Sequence, residues 1–239
     1  VRIEHYGWSG GRETVLRFGP AHGPLLVAVL PLFEEANRTR TFLVRTLRLL
    51  AERGVASALP DLPGTGESAL PSAAFRPFAA REALEALAGG TGERCYMLGV
   101  RSGCLLDGFV LAHGRYHLAP VAGERLVRDL GRVRQAEAGG RERAGERWFM
   151  EDRWQEAPGH VRVGGMLLSA EALLDLSLLE PFQQADVPRR VARLATDAAP
   201  ADVYLQGSPL WRTKEPQDDP VLAAALADDV AAWIAACEG

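Results

Sequence analysis

The chain has 239 residues, 47% of them hydrophobic and 24% charged, and a formal net charge of −4. That length and balance suit a single globular domain with a sizeable core, and they provide no broad basic field for nucleic acid or an anionic membrane. The three cysteines, Cys95, Cys104 and Cys237, form no CxxC pair, which argues against zinc and against a secreted disulfide scaffold and favours a reducing cytoplasm.

The chain opens on Val1-Arg-Ile-Glu-His5, without the apolar stretch of a signal peptide, and no run reaches the roughly eighteen apolar residues that span a bilayer. The absence of an initiator Met leaves open a leader removed ahead of Val1. Residues 2–8 and 13–18 alternate around Ser9-Gly-Gly11 and predict an antiparallel hairpin at a sheet edge. Leu25 to Leu30 is a continuous aliphatic run, as expected for a strand covered on both faces.

Pro31-Leu-Phe-Glu-Glu-Ala-Asn-Arg-Thr-Arg40 follows at once and opens a helix with Phe42, Leu43, Leu47 and Leu50 on one face, stopping at Gly54. In open α/β sheets ligands bind outside the carboxyl ends of the strands, so these charges belong to the functional edge. The helix dipole accounts for Glu34 and Glu35 but not for the arginines beside them. Val55 to Leu59 is a second buried strand, and Pro60-Asp-Leu-Pro-Gly-Thr-Gly-Glu-Ser68 is turn chemistry throughout. A helix is predicted around Phe78 to Leu87.

Arg94 to Leu98 then runs as a strand into Gly99-Val-Arg-Ser-Gly103, followed by a predicted helix carrying Leu105, Leu106, Phe109 and Val110. Strand, tight turn and helix form the setting of a nucleophile elbow, G-x-Nuc-x-G, whose glycines let the helix pack closely on the strand. The central residue is Arg101, where Ser, Cys or Asp is expected. Ser102 lies one residue out of register, and Cys104 reads as a buried small hydrophobe.

Tyr116 to Pro120 is a further strand. Beyond it come a helix with Leu126, Leu130 and Val133 and the charged stretch 137–159, which holds Trp148, Phe149, Met150 and Trp154; burial of these aromatics over the site predicts a cap across 122–160. Val161 to Met166 is a short strand or hairpin, and Ser169 caps a helix with Leu173, Leu174 and Leu178. Val191 to Ala195 and Val203 to Gln206 are the last strands, and Asp219-Pro220 starts a closing helix with Leu222, Leu226, Val230, Trp233 and Ile234 on its apolar face. The alternation predicts one α/β domain over 1–239, with a mostly parallel central sheet, helices on both faces and a helical cap insertion.

The segments "LLVAVLPLF", "ALPDLPGTGES" and "YMLGVRSG" together resemble the α/β-hydrolase superfamily across nearly the whole chain. More narrowly, "LFEEANRTR", the elbow arginine, "APVAGERLVRDLGRVRQ", "GGMLLSAEAL" and "SPLWRTKEP" resemble a hydrolase-like family associated with the exosortase A system of bacterial exopolysaccharide and surface-protein gene clusters. The resemblance implies a small-molecule, acyl or glycan-linked substrate; no cofactor or metal is expected, and the protein is expected to be cytoplasmic and able to form a homodimer.

In that superfamily the triad runs Ser, Asp or Glu, then His, with the His after the last strand. Asp197 is the closest match for the acid, with Glu124 as an alternative. All five histidines, His5, His22, His113, His117 and His160, precede the last strand, and Trp211 lies where the base belongs. Both nucleophile and base are therefore missing. The candidate site consists of Arg101, Glu34, Glu35 and Asp197, with Phe33, Asn37, Arg38, Ser102 and Trp211 expected against the substrate. Arginine stays protonated and recognises anions, so either an anionic ligand or Glu34 or Glu35 must neutralise Arg101.

Overall fold

A computed structural model describes residues 1–140 and 145–239. Its centre is an eight-stranded sheet in the order β1-β2-β4-β3-β5-β6-β10-β11. The strands are β1 (Arg2–Trp8), β2 (Gly11–Phe18), β3 (Leu25–Val29), β4 (Ala56–Pro60), β5 (Cys95–Val100), β6 (Gly114–Leu118), β10 (Arg189–Leu194) and β11 (Val203–Leu205). β1, β2 and β4 pair antiparallel, and every other neighbouring pair is parallel. The chain moves from β3 outward to β4 and then returns to the other side of β3 as β5. The switch point, where a crevice opens at the carboxyl edge of such a sheet, therefore lies between β3 and β5.

The period of two along each strand divides the core. Val27, Val29 and Met97 face one side, and Leu26, Ala28, Leu98 and Tyr116 face the other. The second face is covered by α1 (Glu34–Glu52) and α5 (Pro220–Glu238), which pack on each other. Phe42, Leu43, Leu47 and Leu50 are the buried stripe of α1, as their spacing predicts, and Gly54 at φ +78° turns the chain into β4. Asp219 caps α5 by accepting the Leu222 N–H at 3.0 Å, with Pro220 in the first turn.

In length and composition α5 is apolar enough to cross a membrane, which corrects the expectation that no segment qualifies. Its composition has a local cause: Leu222, Leu226, Val230 and Ile234 are buried in the core. Asp229, on the same helix, accepts the Tyr116 hydroxyl at 2.6 Å and two bonds from Arg190 at 2.7 and 2.8 Å, tying α5 to β6 and β10.

The other face carries α2 (Pro77–Gly89) and a long excursion between β6 and β10. That excursion holds α3 (Gly123–Glu137), short 3-10 turns at Trp148–Met150 and Asp152–Trp154, an antiparallel sheet of β7 (Gln155–Ala157), β8 (His160–Val163) and β9 (Met166–Ser169), and α4 (Ala170–Ser177). Residues 122–160, expected to form a helical cap, fall within it, with 141–144 outside the described residues; the excursion is mixed helix and strand and continues through α4. Trp148, Phe149 and Trp154 are buried, and Met150 is exposed. Gly131 leaves the notch that seats Trp148, whose Nε1 donates to the Val127 carbonyl; a Cβ there would stand 2.7 Å from Nε1. Ser169 caps α4 through the Ala172 N–H at 3.2 Å.

The helix predicted after the elbow is absent. Residues 101–105 and 107–109 form two short 3-10 turns. Two arginines, Arg81 half-buried and Arg115 buried, take the carbonyls that an α-helix would have used: Arg81 Nη2 donates to Leu105 O at 2.7 Å, and Arg115 Nη2 to Val110 O at 2.8 Å and Asp107 O at 3.3 Å. Gly103 and Gly108 within the segment weaken helix further. Phe109, expected on an apolar face, is consequently 43% exposed.

Candidate functional site

Arg101 directly follows β5 at φ +54°, the backbone conformation an elbow forces on its central residue. Both flanking glycines are required by packing. A Cβ on Gly99 would lie 2.8 Å from Cys104 Sγ, and one on Gly103 would lie 2.5 Å from Val29 O and 2.6 Å from Leu30 O. The elbow is thus pressed against the end of β3.

Among the described residues, three other than glycine have positive φ: Phe33 at 62°, Arg101 at 54° and Ala119 at 48°. They follow β3, β5 and β6 at the carboxyl ends of adjacent parallel strands. Such conformations cost on the order of 1–3 kcal/mol each and gather where a site needs a fixed geometry.

The Arg101 guanidinium makes a two-pronged contact with Glu35, Nε to Oε2 and Nη2 to Oε1, both at 3.2 Å. Its side chain is 10% exposed and that of Glu35 22%. Glu34, the other candidate partner, pairs with Arg38 at 2.7 Å. Arg38 also donates Nη1 to the Trp211 carbonyl at 3.2 Å, which fastens the loop after β11 to α1. The indole of Trp211 is buried, and the Arg101 guanidinium carbon lies 5.0 Å from its ring centre. An arginine thus stands at the centre of the elbow, over an aromatic face supplied by the loop after the last strand.

Ser102 is fully buried, and its Oγ accepts the Leu32 N–H at 2.9 Å from the loop after β3. It braces the elbow to that loop. Burial pushes the Cys104 thiol well above its ordinary range, in line with its reading as a small hydrophobe. Asp197 follows β10 and shares a cavity of about 350 Å³ with Arg101 and Trp211. The Ala199 N–H and Arg193 hold its carboxyl below the usual aspartate range despite some burial. Its bonds go to that amide at 3.0 Å and to Arg193 Nη1 at 2.9 Å.

On the other side of α1's first turn, Phe33 and Asn37 line a second cavity of about 290 Å³ with Leu62, Leu70 and Met166 of β9. Asp61 lies in its wall and pairs with Arg40 at 3.1 Å. The Gly164-Gly165 turn between β8 and β9 comes down on Glu34, whose Oε1 is 2.6 Å from where a Gly164 Cβ would stand. The β8–β9 hairpin thus reaches the first turn of α1.

Two groups escaped the sequence reading. Arg125, Arg193 and Arg212 line the Arg101 cavity; Arg125 and Arg212 fall inside "APVAGERLVRDLGRVRQ" and "SPLWRTKEP", where only resemblance drew attention to them. Beneath the elbow, fully buried His117 Nε2 and Asp107 Oδ2 are 2.8 Å apart, with Arg115 beside them. An arginine and a histidine two residues apart in a buried strand were the available signal. Among the described residues, no group of three or more His, Cys, Asp or Glu side chains could hold a metal ion.

Est1E from Butyrivibrio proteoclasticus superposes with a TM-score of 0.64 at 13% identity over 99% of each chain. An esterase from Thermogutta terrifontis gives 0.57 at 18% identity over 100% of each chain. The chain has the α/β-hydrolase fold. The bottromycin epimerase BotH, solved with bottromycin A2, gives 0.55 at 14% identity over 99% of each chain. An epoxide hydrolase from Vigna radiata is spanned over 40% of its length only. No family model matches the chain, and no curated protein does.

Proposed function

We propose that this protein is a ligand-binding relative of the α/β-hydrolases that does not carry out serine hydrolysis, with the Arg101–Glu35 pair as the floor of its cleft. The observation that carries the reading is the occupant of the elbow: a guanidinium held by Glu35 and covered by Trp211. Arginine remains protonated and can serve as neither ordinary nucleophile nor base, and an indole offers only a donor. Ser102 has its hydroxyl engaged and hydrogen-bonds to no base among the described residues, and Cys104 is held as a thiol by burial. Fold by itself prescribes no chemistry. A neighbour described as an epimerase is consistent with that separation.

The resemblance to the exosortase A-associated family supports an acyl or glycan-linked small molecule as ligand, in a cytoplasmic bacterial protein of exopolysaccharide or surface-protein systems. The net charge of −4 supports no nucleic-acid role. Incubation with a serine-directed fluorophosphonate and with short-chain nitrophenyl esters tests the reading. No stoichiometric adduct and no turnover above buffer are expected. An adduct on Ser102 would overturn it, and ester turnover abolished by Glu35→Gln would instead support catalysis with Arg101 as electrophile.

A further inference from the structure

The 350 Å³ cavity beside Arg101 carries an imbalance of charge: Arg101, Arg125, Arg193 and Arg212 line it, against one carboxylate, Asp197. Asp197 is already engaged by Arg193 and the Ala199 N–H. Glu35 takes the Nε and Nη2 edge of Arg101, which leaves its Nη1 without an acceptor among the described residues. Arg125 has Asp129 at 4.0 Å, the limit of an ion pair, and Arg212 pairs with no described residue. Adding Glu35 and Asp129 to the account still leaves the surroundings one positive charge in excess.

These guanidiniums come from different directions. Arg101 is at the floor, Arg125 in the first turn of α3, Arg193 on β10 and Arg212 in the loop after β11. A planar carboxylate is satisfied by one guanidinium fork, whereas a tetrahedral dianion presents oxygens to several at once. Gathering like charges in one partly enclosed cavity costs repulsion that such an anion would relieve. The cavity also exceeds the space a lone phosphate fills, so room remains for an organic remainder beside Trp211.

We propose that this cavity binds the phosphate group of a phosphorylated small molecule, held between Arg101 Nη1, Arg125 and Arg212. The proposal rests on the reading of the cleft as a ligand site and specifies its ligand class. Phosphate carried by a lipid headgroup has the same chemistry and is separated by experiment.

The test titrates the full chain calorimetrically with inorganic phosphate, diphosphate and glucose 1-phosphate, with acetate alongside, and measures co-sedimentation with phosphatidylcholine vesicles with and without phosphatidic acid. Saturable one-to-one binding of a phosphate probe is expected, weakened by added salt and by about tenfold or more in Arg125→Gln/Arg212→Gln. Both substituted side chains are solvent-exposed, so the double variant should melt with the parent, and Arg212→Glu gives an independent check by charge reversal. Binding only to phosphatidic acid vesicles, lost in the double variant, supports the same site with a lipid-borne phosphate. The proposal is overturned by absence of saturable binding to every phosphate probe at millimolar concentration, by equal binding in the variants, or by acetate binding as tightly as phosphate. Ester turnover by the parent would undo the non-hydrolytic reading whatever the phosphate result, whereas a silent esterase assay without phosphate binding would undo this proposal alone.

Discussion

Arg101 and Glu35 are partners in a cleft that is neither dry nor fully wet, and that intermediate setting sizes their coupling. Removing one member of a buried pair costs roughly 3–5 kcal/mol, and an exposed pair contributes about 1 kcal/mol or less. With side chains 10% and 22% exposed, Arg101→Ala or Glu35→Ala is expected to destabilise by about 2–3 kcal/mol. A double-mutant cycle followed by denaturant melts should return a coupling of about 1 kcal/mol or more for Arg101 with Glu35, and nearly none for Arg101 with Glu34. Strict additivity for both glutamates would show that the pair does not form in solution. Sequence reasoning reached the juxtaposition because both segments follow adjacent parallel strands, but it could not choose between two neighbouring glutamates. That choice depends on helical phase: Glu34 lies one turn before Arg38, which takes it. The pairing of His117 with Asp107 was hidden for a similar reason, since the two meet only once β6 lies beside β5.

At the scale of elements, Asp229 shows how one ionised group positions a helix. Burial works against its charge, but Arg190 and the Tyr116 hydroxyl outweigh burial and hold the carboxyl below the usual aspartate range. A folded-state pKa below the unfolded one means that the stabilisation is complete above the ordinary aspartate value of about 4 and is lost as pH falls through the lower folded value. Asp229→Asn should therefore cost about 2–3 kcal/mol near neutrality and flatten the acid limb of the stability profile. Urea melts across pH would read both effects; an unchanged acid limb would assign the acid loss to other carboxylates. Elements whose hydrophobic period matches their environment were legible, as the stripe of α1 and the apolar run of β3 illustrate. The helix expected after the elbow was not, because Leu105, Leu106, Phe109 and Val110 keep a plausible helical spacing while Arg81 and Arg115 take its carbonyls from outside. A competitor for backbone acceptors that arrives from other elements leaves no mark in local pattern.

For the molecule as a whole, the decisive question is whether the excursion between β6 and β10 is a detachable lid or part of the fold. A lid that opens as a body must have few apolar contacts with what lies beneath it. Here Trp148, Phe149, Trp154, Val161, Val163, Leu168 and Leu173 share one continuous buried cluster with Val27, Val29 and Met97 of the sheet and with Ala80, Ala83 and Leu84 of α2. Stripping the excursion away would expose the part of that face that α2 does not cover, so the sheet and its cover stabilise each other as one unit. Tryptophan fluorescence and far-ultraviolet circular dichroism should then report coincident denaturant midpoints, even though Trp148 and Trp154 lie in the excursion and Trp8, Trp211 and Trp233 in the body. Trp148→Phe, which removes the bond to the Val127 carbonyl and underfills the Gly131 notch, should lower both midpoints together. An earlier fluorescence transition, with the circular dichroism midpoint unmoved, would mean instead that the excursion unfolds separately and that access to Arg101 is gated by its opening.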